Sequence, residues 1–362
     1  MAASAQSMGG PMLDVENLSC EFHSEAGVAR VLNHVNLTIE KGRTIGIVGE
    51  SGSGKSMLMK AILGIAPHTA RVTGTIKFDG QDLSTLKEGD RRKLLGRRVG
   101  IVFQNPMTSL NPVVRVGRQV EEANRYHFHT SKKDARRLAI DLLAAVGLPD
   151  PEECYRQYPH QFSGGMKQRI MIATALACQP ELLIADEATT ALDVTVQQTI
   201  LDLLANIQRE RGMSMILVTH NLGIVAGRTD ETAVMYGGRI VERGPTEALF
   251  RDPRHRYTEA LISAIPRTDQ PAHTKLRVIP GRPPEVIRAV AGCPFAPRCV
   301  VAEPRCHDTD PPLSAGSRDG HTYACYVPVG TPGVGASSSS TGQPAASGTA
   351  VQSAAGSAME ME

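Results

Sequence analysis

At 362 residues, with 41% hydrophobic and 21% charged side chains, the chain is long enough for two or three domains and apolar enough to bury a core. Its 39 basic residues nearly balance 37 acidic ones, and the formal charge of +2 gives no whole-chain reason to bind nucleic acid or an anionic bilayer. No apolar run reaches the roughly 18 residues that span a membrane, and the opening residues lack a basic region followed by an apolar one, so a cytosolic chain is expected.

Residues 1–11 read as a flexible N-terminus. Alternation at Leu13, Val15 and Leu18, and again at Val31, Val35, Leu37 and Ile39, predicts two early strands; Thr44-Ile45-Gly46-Ile47-Val48 has the pattern of a buried strand. A glycine loop follows, then Met57, Leu58, Ala61, Ile62 and Ile65 recur at helical spacing until Pro67. Residues 90–180 read mostly as helix. Leu182 to Ala185 and Met215 to Val218 fit central parallel strands, and between them Val196, Ile200, Leu203, Leu204 and Ile207 mark a helix closed by Gly212. Strands alternating with helices predict an α/β fold with a parallel sheet and a mainly helical insertion. Eight prolines from Pro280 to Pro312 require a segment built largely from loops. Residues 331–362 carry almost no large apolar side chains and read as a disordered tail.

Gly49-Glu50-Ser51-Gly52-Ser53-Gly54-Lys55-Ser56 fits the G-x-x-x-x-G-K-[ST] pattern and lies between a buried strand and a helix, the context that pattern needs. Glycines let backbone N–H groups turn inward around phosphate oxygens, and the helix N-terminus adds a favourable partial charge. Lys55 is expected to reach the β- and γ-phosphates and Ser56 to ligate Mg²⁺; a chance glycine turn is the alternative. Leu182 through Glu187 form an apolar strand ending in two acids, which places carboxylates at the C-terminal edge of a parallel sheet, where ligands collect. Asp186 is the expected Mg²⁺ partner and Glu187 the general base for the attacking water, although two acids after a strand are often simply solvated. His220, at another strand end, is a candidate to hold the γ-phosphate and the water, and Gln104 to sense Mg²⁺ and the water. Each alone would pass for a structural residue. Ser163-Gly164-Gly165 open a helix marked by Met166, Ile170, Ala173 and Ala177, either a second anion-binding helix start or an ordinary Ser N-cap.

This ordered set resembles the nucleotide-binding subunits of ATP-binding-cassette (ABC) transporters. Over residues 12 to about 262, the family's parts have counterparts in the Walker A loop 49–56, the Q-loop Gln104, the signature Ser163-Gly164-Gly165, Walker B ending in Asp186-Glu187, the D-loop Ala191-Leu192-Asp193 and the switch His220. Phe22, 27 residues before Gly49, matches the family's adenine-stacking aromatic, with a buried strand Phe as the alternative. The resemblance implies a P-loop NTPase core of ABC type, with an N-terminal antiparallel β subdomain and a helical insertion at about 105–180. It also implies that ATP, with Mg²⁺, binds between one subunit's Walker A loop and the signature of another, with Asp193 a further nucleotide-binding residue, so hydrolysis needs a dimer.

A narrower resemblance is to the ATPase subunits of oligopeptide and dipeptide importers, including the related nickel importers. It rests on Val48 to Ser56, Phe103 to Pro112, Thr189 to Gln197, Tyr257 to Pro266, and Gly292-Cys293-Pro294-Phe295-Ala296-Pro297-Arg298-Cys299. It implies a peripheral protein on the cytoplasmic side of the membrane that drives two transmembrane permease subunits. A second, homologous ATPase chain and, indirectly, an extracytoplasmic substrate-binding protein are the further partners implied. Nickel or another small solute is the alternative cargo. A non-transport ABC ATPase and a nucleotide-binding regulatory subunit are the rival functions. Ala188 stands where proline is common and Asn221 where aspartate often follows the histidine; neither change removes a catalytic group.

Of seven cysteines, Cys20, Cys154 and Cys178 are isolated and read as structural, whereas Cys293, Cys299, Cys306 and Cys325 fall within 33 positions. In the loop-forming region 263–330, four thiolates can converge on a metal that replaces a missing core. Free thiols and disulfides are the alternatives, and a reducing cytosol disfavours disulfides. Spacings of five, six and eighteen intervening residues leave Zn²⁺ and iron–sulfur open. The importer resemblance implies a [4Fe–4S] cluster, with His307 or His321 as substitutes for one ligand. Five positive charges between Arg91 and Arg98 suit a solvated helix face, and without interleaved aromatics no nucleic-acid partner is expected.

Overall fold

The computed structural model describes residues 10–24, 27–105, 109–188, 193–266, 278–284 and 291–332. Strands β1 (Leu13–Ser24) and β2 (Gly27–Ile39) lead to the buried β3 (Thr44–Val48) and helix α1 (Lys55–Leu63), after which β4 (Ala70–Phe78) and β5 (Gln81–Asp82) return beside β1. The resulting antiparallel sheet has the order β2-β1-β4-β5. Its inner face carries Leu13, Val15, Leu18, Cys20, Leu32, Val35, Leu37 and Ile39, all buried, as alternation predicts for a half-buried sheet. One position departs from the simple period: Leu32, and not Val31, enters the core. The β1–β2 register shifts between Leu18 and Cys20, and the facing His34 takes φ 50°, so one extra residue swaps the faces of β2.

Helix α2 (Glu88–Arg98) carries the basic run and leads into β6 (Val99–Val102). Residues 90–180 are otherwise mostly helical, as expected; this strand was not foreseen, since four residues are too few to show a period. Three of the run's charges are engaged within the chain: Arg98 bridges Asp79 (2.6 Å) and Glu181 (2.5 Å), Arg92 pairs with Glu88, and Arg97 lies over the Phe128 ring. Helices α3 (Val116–Phe128), α4 (Lys132–Ala145), α5 (Pro151–Arg156) and α6 (Gly164–Ala175) form the helical insertion. Ser131, Asp150 and Ser163 cap α4, α5 and α6 by accepting backbone N–H bonds.

The strands β7 (Leu182–Asp186) and β8 (Ser214–Thr219), with helix α7 (Val194–Arg211) between them, fall where the apolar runs put them. Helix α8 (Leu222–Val225) precedes β9 (Glu231–Tyr236) and β10 (Arg239–Pro245), a hairpin closed by Gly237 and Gly238 with φ 54° and 77°, the two left-handed positions of a tight turn. Helices α9 (Thr246–Arg251), α10 (Arg256–Ser263) and α11 (Pro304–Asp308) and the two-residue strands β11 (Ser314–Ala315) and β12 (Thr322–Tyr323) complete the described elements. The large sheet runs β11-β12-β10-β9-β3-β8-β7-β6 and is parallel from β9 to β6. β3 sits in its middle, and all five of its residues are buried.

The C-terminal segment is loop-rich, as expected, and its Phe295 and Val327 share an apolar cluster with Val234, Tyr236, Leu249 and Tyr257 of the preceding elements. Beside it the fully buried Glu242 carboxylate accepts the N–H groups of Arg254 and His255 and lies 2.8 Å from His321 Nε2. β12 pairs with β10 at Glu242 and Arg243, so this segment extends the large sheet. Cys20, Cys154 and Cys178 are buried, as their isolation suggested. The expected tail beyond Pro332, most of the N-terminal stretch and residues 106–108 and 189–192, which include D-loop positions 191 and 192, lie outside the described residues.

Candidate active site

The loop 49–54 joins β3 to α1 at the C-terminal edge of the parallel strands. A Cβ on Gly49 would sit 2.1 Å from the Met235 carbonyl oxygen, so only glycine fits there; Gly54 caps α1 at φ 104°. Lys55 folds back over the loop, its ammonium donating to the carbonyls of Gly49 (2.7 Å) and Glu50 (2.9 Å). Burial draws the Lys55 pKa below its ordinary value, against the pull of Glu187, Asp186 and Glu50.

Asp186 ends β7, and its Oδ1 accepts from the Ser56 hydroxyl at 3.2 Å. Burial raises the Asp186 pKa and the Ser56 hydrogen bond opposes the rise. Glu187 follows in the left-handed region, φ 47°, with its N–H donated to Val218 O on the neighbouring strand. That turn swings the Glu187 side chain toward the loop. Gln104 Nε2 donates to Glu187 Oε2 at 2.8 Å, His220 Nδ1 is 3.5 Å from the same oxygen, and Lys55 Nζ is 3.9 Å from Oε1. Three parallel strands, β3, β7 and β8, thus deliver Lys55, Ser56, Asp186, Glu187 and His220 to one edge, and the end of β6 brings Gln104 there. The arrangement can hold a phosphate chain at the loop and place one carboxylate beside it, oriented by an amide and an imidazole.

The signature residues form a second group. Ser163 Oγ accepts the Met166 N–H at the start of α6, and a Cβ on Gly165 would meet Val196 Cγ1 at 2.9 Å. Asp193 caps the start of α7, accepting the Val196 N–H at 2.9 Å, so Ser163 to Gly165 and Asp193 lie at adjoining helix starts. Among the described residues no hydrogen bond or ion pair links them to the loop 49–56. Phe22 is half-buried in β1 opposite Ala29, two residues along β2 from Val31, whose carbonyl lies against Gly54.

Two residues at the loop were not site candidates from the sequence, although both lie in stretches that carry the importer resemblance. Tyr257 OH accepts the Glu50 N–H at 2.9 Å, and Arg298 makes a two-pronged ion pair with the Glu50 carboxylate. Arg298 lies within the Cys293–Cys299 motif, and its place between two cysteines was the available signal.

The four cysteines expected to hold a metal are not drawn together in this structure. Among the described residues no three His, Cys, Asp or Glu side chains are placed to hold a metal ion, and all four cysteines are free thiols. A single Zn²⁺ with bonds of about 2.3 Å needs its thiolates drawn tightly together. Here Cys293 and Cys306 are buried in the apolar cluster, and burial pushes the Cys293 thiol up to about 11, opposed by a hydrogen bond from the Phe295 amide. His321 Nε2 is engaged by Glu242, and its buried Nδ1 has no hydrogen-bond partner among the described residues.

The chain matches the ABC transporter family over residues 32–190 and the oligopeptide/dipeptide transporter C-terminal region over residues 241–306. It is 44% identical to the dipeptide transport ATP-binding protein DppD of Escherichia coli, over 88% of this chain and 97% of that protein. It is 43% identical to the oligopeptide transport ATP-binding protein OppD of Salmonella typhimurium, over 91% and 97%. Among solved structures, the ATP-binding cassette MJ0796, a dimer in a post-hydrolysis state bound to ADP and Pi, superposes with a TM-score of 0.59 at 27% identity, covering 65% of this chain and 99% of that one. With its phosphate loop, paired acids and signature helix on this fold, the chain belongs to the ABC transporter ATP-binding proteins, in the group that carries the oligopeptide/dipeptide transporter C-terminal region.

Proposed function

We propose that the chain is the ATP-hydrolysing subunit of an importer that takes up di- or oligopeptides through separate membrane subunits. The convergence of Gln104, His220 and Lys55 on the Glu187 carboxylate carries the ATPase half of this reading. The match over 241–306 and the peptide-transport relatives carry the cargo. Residues 12–262 act as the catalytic cassette and 263–330 as the importer-type segment, with 1–11 and 331–362 outside both.

Lys55 and the loop N–H groups of Ser51, Gly52, Ser53 and Gly54 bind the phosphates. The Ser56 hydroxyl and Asp186 carboxylate are hard oxygen donors that fit Mg²⁺, with Gln104 beside them; the ion, when bound, neutralises charge on the phosphate oxygens. Glu187 accepts the attacking water's proton at Oε1, the oxygen on the Lys55 side, while Gln104 and His220 fix the carboxylate through Oε2. Phe22 stacks on the adenine. Ser163, Gly164, Gly165 and Asp193 serve the nucleotide of a facing chain, consistent with their separation from the loop, and that chain is a homologous ATPase.

No described helix is long and apolar enough to cross a membrane, so the site of action, the cytoplasmic face, comes from two permease subunits that bind the chain; the extracytoplasmic binding protein acts through them. Cys293, Cys299, Cys306 and Cys325 carry a [4Fe–4S] cluster in the working protein. Four cysteines within 33 positions support this reading, and loading requires their sulfurs to draw together from the places they hold in this structure. Iron and sulfide analysis of anaerobically purified protein tests this; absence of both rejects it.

Purifying the tagged chain from membranes, identifying its companions and measuring ATPase with added peptide and binding protein tests the main reading. Stimulation by di- or oligopeptide is expected; stimulation by nickel alone would reassign the cargo.

A further inference from the structure

The phosphate loop is gripped from outside its own motif set. Arg298, in the turn between Cys293 and Cys299, is buried, and all five of its N–H donors are used. Nη1 donates to Glu50 Oε2 (2.6 Å) and Tyr236 OH (3.1 Å), Nη2 to Glu50 Oε1 (3.1 Å) and Ile279 O (3.3 Å), and Nε to Pro280 O (2.7 Å). Glu50 is therefore locked by a fork-on-fork pair with a residue 248 positions away. Its main chain is locked as well. The Glu50 N–H donates to Tyr257 OH, which turns that amide outward, and its carbonyl points back to Lys55 Nζ at 2.9 Å. Tyr236, Tyr257 and Phe295 pack their rings together behind the pair, with centroids 4.4–5.3 Å apart.

We propose that Arg298 and Tyr257 are positioning residues for nucleotide binding, which tie the first half of the phosphate loop to the 293–299 turn and so make the loop's hold on the triphosphate depend on that turn. The peptide plane entering Glu50 sets the direction of the Ser51, Gly52 and Ser53 amides that follow. Holding it in place before the nucleotide arrives lowers the ordering cost of binding. Arg298 also neutralises Glu50, a carboxylate that would otherwise stand beside a polyanion. This rests on the loop being the ATP site.

The test is equilibrium titration of the full-length chain with a fluorescent mant-ATP, alongside thermal melting without nucleotide. Binding by the wild-type chain checks the ATP site itself, and its absence would refute that reading separately. Tyr257→Phe removes one hydroxyl and keeps the ring, so the melt should hold while the Kd rises about threefold to tenfold. Arg298→Gln should raise it tenfold or more, with Arg298→Lys, which keeps charge and loses the fork, in between. In membranes carrying the assembled transporter, Tyr257→Phe should raise KM for ATP and leave kcat within twofold. An unchanged Kd in Tyr257→Phe, or a loss confined to kcat, overturns the proposal, and this variant decides the matter even where Arg298→Gln fails to fold.

Discussion

Glu242→Ala probes how the C-terminal segment is fastened. The carboxylate it removes is fully buried and accepts the Arg254 N–H at 2.7 Å and the His255 N–H at 2.8 Å, with His321 Nε2 at 2.8 Å. Alanine leaves two backbone donors and an imidazole without an acceptor in an apolar surround. At about 1–3 kcal/mol for each of the two orphaned backbone groups, the local cost is about 2–6 kcal/mol. At about 2 °C per kcal/mol, the low end of the range for large domains, the first thermal transition should fall by about 8 °C. Since β12 hangs on β10 at this residue, the loss should be local at first, so limited proteolysis should cut between residues 291 and 332 before the cassette. Glu242→Gln keeps the volume but turns an amide NH₂ toward a donor, and should fall between. A Glu242→Ala protein that melts within 2 °C of wild type and resists protease equally would refute the argument that these donors depend on one carboxylate.

Glu187→Gln should lower ATP turnover by about 10²–10⁴-fold and retain ATP in a dimer seen by size exclusion, since the proton acceptor goes and the loop stays; wild-type hydrolysis in that variant would remove Glu187 from the role of base. Gly49→Ala drives a Cβ to 2.1 Å from a backbone oxygen that cannot turn aside. It should abolish mant-ATP binding at a folding cost of about 1–3 kcal/mol, and normal affinity would contradict the close packing of β3 against β9. Burial raises the thiols of Cys20, Cys154 and Cys178, so maleimide at neutral pH should label them only after denaturant is added. Fast labelling of any of the three in native protein would show that its site opens.

What could be read before folding was what is local in the chain. The phosphate loop, the acids after β7 and the N-cap before α6 each occupy fewer than ten consecutive residues, and their chemistry requires fixed spacing. Strands β7 and β8 were legible because burial on both faces makes them uniformly apolar. β6 was hidden by its length and its position among helices, and Leu32 by a bulge, which a period-two reading cannot see. The Glu50–Arg298 pair joins residues 248 apart, a distance at which sequence pattern has no hold. Four cysteines in a proline-rich stretch suggested a metal in place of a core, whereas Tyr236, Tyr257 and Phe295, scattered singly in sequence, supply an aromatic one.

The pairing of β12 with β10 bears on how chimaeras of such proteins should be built. A splice at residue 263 would separate neighbouring strands of one sheet and divide Glu50 from Arg298, so each hybrid would join surfaces that had never been matched. A junction placed ahead of β9, with a compensating exchange at position 50, keeps β10 and β12 in one half and leaves the β3–β9 pairing as the surface to be matched.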